Sequence, residues 1–92
     1  MNYEWDEKKN RFNIKKHGVS FDLAVRVFTD PLRKEDYDVR HSELEEDRTN
    51  AIGLAENRLL FVNFSEPDIE TIRIISARKA NKHERRYYYG NG

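Results

Sequence analysis

Six consecutive residues, Leu59 to Phe64, are almost wholly apolar in a chain otherwise crowded with charge. A run this short, with the turn pair Glu56-Asn57 before it and Pro67 after it, fits a central strand covered on both faces. Such a strand needs neighbours, and the flanking sequence offers them. Thr49 to Ala55 contains Ala51, Ile52 and Leu54, and Ile69 to Ala77 contains four isoleucines. In the latter, alternation places Ile72, Ile74 and Ser76 on one face and Thr71, Arg73, Ile75 and Ala77 on the other. Ser65 to Asp68 reads as the loop between strands. Arg33 to Val39 is polar enough for an edge strand, and His41 to Asp47 reads as an acidic loop.

Helix signals flank this region. Asp6 is a good N-cap, Glu7 suits a first turn, and Gly18 supplies a left-handed stop after His17. The apolar content of that helix is thin (Phe12 and Ile14), so it belongs at the surface. Ser20 caps a second helix whose stripe is Leu23, Ala24, Val27 and Phe28, ended by Asp30-Pro31. Asn81 with Glu84 three residues on forms a capping box for a last helix ending in Tyr87-Tyr88-Tyr89. The expected fold is α+β over residues 1–92 as one domain. It is an antiparallel sheet (a meander) with two N-terminal helices and one C-terminal helix on one face.

Composition sets the outer limits. Charged and hydrophobic residues each make up 37%, and aromatics 12%, which argues for a folded chain with a highly charged surface. Cysteine is absent, which removes disulfides, cysteine zinc sites and cysteine nucleophiles. No apolar run approaches a membrane span, and Met1 to Asp6 has no signal-peptide character, so the expected location is the cytoplasm.

The formal net charge is zero, which taken alone argues against a nucleic-acid partner. The charges are segregated, however. Glu35 to Asp47 holds seven acids and one arginine, whereas Arg73 to Arg86 holds six bases and one acid. Two solvated faces that attract each other would explain this. So would an anion site built from the basic segment.

Three histidines, His17, His41 and His83, stand in no metal-binding spacing, and neither a phosphate-binding glycine loop nor a serine-hydrolase elbow is present. No metal and no cofactor are expected. Arg73 is the residue most out of place, a guanidinium among isoleucines. It either pairs with the acidic segment or binds phosphate through two parallel hydrogen bonds. Arg78 and Lys79 precede the last helix, whose N-terminus favours anions. Arg48 opens a strand beside Glu46. Lys16 and His17 end the first helix, where cations also simply stabilise the helix dipole. Together Lys16, His17, Arg48, Arg73 and Arg78, with Glu46 or Glu84, are residue types suited to metal-free RNA cleavage. That reaction needs a base for the ribose 2′-hydroxyl, cations for the charged phosphorus centre and an acid for the leaving oxygen. A binding module without catalysis, acting on nucleic acid or protein, uses the same residue types.

Three blocks of sequence resemble the BrnT toxin family. The first is Trp5-Asp6-Glu7-x-Lys9, then Lys16-His17-Gly18-Val19-Ser20-Phe21, then Phe28-x-Asp30-Pro31. The second is Glu46-x-Arg48 followed by Ile52-Gly53. The third is Arg73-Ile74-Ile75-Ser76-Ala77-Arg78-x-Ala80 with Glu84-Arg85 and Tyr88. The resemblance implies a RelE-like fold and a ribonuclease toxin of a type II toxin–antitoxin pair that inhibits translation. It implies a BrnA-like ribbon-helix-helix antitoxin, expected in a heterotetramer that reaches operator DNA only through the antitoxin. It also implies functional roles for Lys16, His17, Glu46, Arg48, Arg73, Arg78 and Glu84. Arg48, Arg73 and Arg78 would bind phosphate, and His17 or Glu46 would transfer the proton. The acidic Glu35–Asp47 stretch and the tail Tyr87 to Gly92 depart from the family pattern.

Overall fold

The computed structural model describes residues 1–40 and 46–90. Most of the acidic loop expected at His41 to Asp47 therefore lies outside the described residues. Five strands form one sheet: β1 (Asn2–Glu4), β2 (Lys34–Tyr37), β3 (Arg48–Ala55), β4 (Arg58–Asp68) and β5 (Thr71–Lys79). Their spatial order is β1-β5-β4-β3-β2, which puts the apolar run of β4 in the middle. The helices are α1 (Glu7–His17), α2 (Phe21–Ala24), a 3₁₀ segment (Val25–Thr29) and α3 (Lys82–Tyr89).

Four expectations need correction. The sheet is mixed, because β1 runs parallel to β5, pairing Asn2, Tyr3 and Glu4 with Thr71, Ile72 and Arg73. A three-residue edge strand carries too little alternation to be read from sequence. Next, β4 continues through Pro67 to Asp68, where a loop was expected. Pro67 is tolerated because a register irregularity there interrupts the ladder. Third, β5 begins at Thr71, and Ile69 is 92% exposed in the turn before it. Inside β5 a second irregularity lets Asn63 pair with Ser76 but Phe64 with Ile74. The extra residue, Ile75, reverses the alternation. Ala77 therefore joins Ile72 and Ile74 in the main core, while Ser76 turns to the opposite side with Arg78. Fourth, the helices are divided between the two faces.

The main core lies between one sheet face and α2 with the 3₁₀ segment. Phe21, Val27, Leu60, Val62, Phe64 and Ile74 are at most 1% exposed there, each contributing about 1.5–3 kcal/mol by leaving water. Phe28 meets Phe64 edge-on at 4.9 Å. Gly53 permits this approach, since a Cβ there would stand 2.8 Å from Val27 Cγ1. The expected second helix thus starts as predicted at Ser20, whose side chain accepts from Leu23 N, but tightens to 3₁₀ after Ala24.

α1 begins and ends as its caps dictate: Asp6 accepts from Lys8 N and Lys9 N, and Gly18 adopts φ 69°. Phe12 and Ile14 face outward, 66% and 43% exposed. The helix is attached by buried asparagines instead. Asn13 donates through Nδ2 to the carbonyls of Ala77 (2.7 Å) and Val19 (2.8 Å) and accepts from Ala77 N (3.1 Å). β1 pairs with β5 only as far as Arg73, so the amide of Asn13 takes the place of a strand beside Ala77. Asn10 accepts from Phe21 N at 2.9 Å, fixing the start of α2.

α3 packs on the other sheet face, where Ile52, Leu59 and Ala80 form a small cluster with Leu54, Phe61 and Tyr88. Its capping box is complete. Its far end is tied by Tyr88, whose hydroxyl donates to Asp30 Oδ2 at 2.5 Å, an oxygen that also accepts from Leu54 N. Burial, reinforced by the Asp30 carboxylate, pushes the Tyr88 hydroxyl up to about 12.

Candidate functional site

On the face carrying α3, β-pairing sets three cross-strand rungs: Arg48–Ser65–Arg73, Asn50–Asn63–Ser76 and Ile52–Phe61–Arg78. Residues two apart on a strand share a face, so the rungs stack along one surface about 6.7 Å apart. α3 covers the Ile52–Phe61 end. The remainder opens into a cleft of about 550 Å³ lined by Asp38, Arg40, Arg48, Asn50, Asn63, Ser76 and Arg78, with Phe61 and Ile75 as its apolar walls. Arginines thus border a polar centre.

Arg78 is held from two sides. Its guanidinium carbon stands 4.2 Å from the centre of the Phe61 ring. Its two terminal nitrogens each donate to a different oxygen of Glu84 at 2.9 Å. Glu84 also accepts from Asn81 N as part of the capping box. Burial opposes ionisation of Glu84, but the Arg78 and Asn81 hydrogen bonds and the charge of Arg78 outweigh it, so its pKa lies below the ordinary value. One carboxylate thus ties the start of α3 to β5.

Arg73 shares a rung with Arg48 but engages carboxylates: Nε donates to Glu4 at 2.7 Å and a terminal nitrogen to Glu46 at 2.6 Å. These raise its pKa, the Glu4 hydrogen bond most strongly. Beside them lies a second cleft of about 650 Å³, lined by Tyr37, Glu46, Asp47, Thr49, Glu66, Pro67 and Arg73. Ser65, between Arg48 and Arg73 on their rung, keeps a buried hydroxyl with no partner among the described residues.

The structure therefore groups five of the seven expected residues on or beside one sheet face: Arg48, Arg73 with Glu46, and Arg78 with Glu84. Lys16 and His17 stand apart at the exposed end of α1. Lys16 lies over the Phe12 ring at 5.8 Å, and neither residue lines the two clefts. No hydrogen bond or ion pair among the described residues joins them to the arginines.

Sequence reasoning missed Asp38, Asn50, Asn63 and Ser76. Asn63 donates from Nδ2 to Asp38 Oδ2 (2.9 Å) and to Asn50 Oδ1 (2.7 Å). A signal existed, because Asn63 is the one polar residue in the apolar run and asparagine is depleted in strands. Glu4 was missed along with β1. Among the described residues, no group of three or more His, Asp or Glu takes a metal-holding arrangement. No helix among them is long and apolar enough to cross a membrane.

Comparisons with known proteins bear on the family and the fold. Residues 5–84 match the family described as the ribonuclease toxin, BrnT, of type II toxin–antitoxin systems. The structure is similar to that of the Brucella abortus ribonuclease toxin, BrnT, with a TM-score of 0.64 and 27% identity over 89% of this chain and 99% of that one. No curated protein sequence matches the chain.

Proposed function

The chain belongs to the BrnT family of ribonuclease toxins of type II toxin–antitoxin systems, and from that premise we propose that the arginine-bordered sheet face cleaves RNA without a metal. The observation that carries this reading is the convergence of Arg48 and Arg78 on one cleft, with the Arg73–Glu46 pair lining a second cleft and Arg73 sharing a rung with Arg48. In this reaction Glu46 takes the proton from a ribose 2′-hydroxyl. The 2′-oxygen bonds to the adjacent phosphorus, and the bond to the 5′-oxygen breaks as that oxygen takes a proton from solvent, to which Glu46 then returns the proton it removed. The products are a 2′,3′-cyclic phosphate and a 5′-hydroxyl. Arg48 and Arg73 stabilise the charge that builds on the phosphoryl oxygens, the role a metal plays elsewhere. Arg78 adds positive charge, and Glu84 positions it. Glu46 is favoured over His17 as the base because it touches Arg73, whereas His17 and Lys16 sit at the end of α1. Lys16 and His17 serve in this reading as outer contacts to the RNA strand.

A type II family implies an antitoxin partner. We assign that role to a BrnA-like ribbon-helix-helix protein that covers the cleft, forms a heterotetramer with the toxin and carries the complex to operator DNA, all in the cytoplasm.

One observation favours a second reading, a binding module without catalysis. Arg73 and Arg78 are already paired with carboxylates, so their charge is partly neutralised within the chain. The purified chain separates the two readings when incubated with single-stranded RNA in excess EDTA. The ribonuclease reading expects new cyclic-phosphate ends, and a loss of about 10²–10³-fold in Arg73→Ala with folding intact. Retention of RNA without new ends supports the binding module. Undiminished cleavage by folded Arg73→Ala and Arg78→Ala overturns the site.

A further inference from the structure

We propose that Asn50 and Asn63 form a base-reading pair at the centre of the cleft, taking one unpaired nucleobase of the RNA by its hydrogen-bonding edge; this rests on the ribonuclease reading above. The argument starts from Asp38. An ionised carboxylate only accepts hydrogen bonds, so the group that Asn63 turns toward Asp38 Oδ2 is its NH₂. The same NH₂ donates to Asn50, so Asn50 presents its carbonyl oxygen to Asn63. Both amides are thereby fixed in orientation by one charge. What remains is the Asn63 carbonyl, an acceptor, and the Asn50 NH₂, a donor, with no hydrogen-bond partner for either among the described residues. Both asparagines line the cleft on one rung.

A neighbouring donor and acceptor match the Watson–Crick edge of an unpaired base, which offers an exocyclic group beside a ring nitrogen. Ile75 and Phe61 supply apolar walls for its ring, and Arg48 and Arg78 flank the site where the attached phosphates run. Asp38 and Asn63 are buried and Asn50 is half-buried, so the pair is held in place on the floor of the cleft, and a bound base would take up the two amide groups that face it.

The experiment digests a random-sequence single-stranded RNA pool and sequences the new ends for the wild type, Asn50→Ala and Asn50→Asp. Asn50→Asp is isosteric and still accepts from Asn63, but it replaces the outward donor with an acceptor. The wild type is expected to favour one base by at least about fivefold at one position near the cut. Asn50→Ala is expected to bring that preference below about twofold, and Asn50→Asp to move it to a different base. Uniform cutting by the wild type, or an unchanged preference in both folded variants, overturns the base-reading pair and leaves the ribonuclease reading standing. No cutting by the wild type overturns the ribonuclease reading and this inference with it.

Discussion

Along β4, Leu60, Val62 and Phe64 turn beneath α2 and the 3₁₀ segment, at most 1% exposed, while Phe61, Asn63 and Ser65 turn to the opposite side. The first side is filled by apolar side chains in contact. The second buries Asn63 and Ser65 nearly as deeply but spends that burial on polar groups, one of them the Ser65 hydroxyl, which has no partner among the described residues. Burial alone therefore does not separate core from site here. What separates them is whether buried atoms are apolar, and so saturated by packing, or polar and turned toward a cleft.

The sharpest way to break this comparison is to damage one side and look for effects on the other. Phe64→Ala empties the packed side and is expected to cost about 3–5 kcal/mol of stability in urea denaturation. RNA cleavage by the fraction that stays folded should change little. Equal losses of stability from Phe64→Ala and Asn50→Ala would erase the distinction between the sides.

Asn13→Ala tests the polar attachment of α1. It leaves the Ala77 N–H and C=O without their side-chain partner, at an expected cost on the order of 2 kcal/mol. Ala77 lies between Ser76 and Arg78, so its cleavage activity should fall beyond what the loss of folded protein explains. A stability loss with unchanged activity per folded molecule would confine Asn13 to the packed side.

The smallest effect comes from Glu84, and it has a definite sign. Its folded pKa lies below the ordinary 4.5, so its stabilisation is present above that value and disappears as pH falls through the folded pKa. Glu84→Gln should be less stable than the wild type at pH 7, and the gap should narrow as pH falls below 4.5 and through the folded pKa. Denaturation curves at several pH values measure it. A gap independent of pH would mean that the carboxylate charge contributes nothing.

Much of the fold was legible because local chemistry dictates it. Asp6, Ser20, Asn81 and Gly18 act as the caps their types suggest, and the apolar run of β4 holds the centre. Illegible features depend on distant partners. β1 exists only because β5 offers an edge, and the reversed alternation at Ile75 depends on how Asn63 and Phe64 pair. The site divides in the same way. Residue types identified the arginines, and pairing across the sheet decides which of them meet. The charge segregation has a mixed resolution. Arg73 does pair with Glu46 from the acidic segment, but its other partner, Glu4, and the Glu84 partner of Arg78 lie outside that segment.

The central claim is that RNA meets the arginine- and asparagine-bearing sheet face. The most direct measurement is a map of backbone amide chemical shifts as a 2′-O-methylated single-stranded RNA, which cannot be cleaved, is titrated in. The account predicts that the largest changes fall on Arg48, Asn50, Asn63, Ser76 and Arg78, with the core of α2 unmoved. Changes gathered instead at Lys15, Lys16, His17 and Gly18, with those sheet amides unmoved, would contradict it.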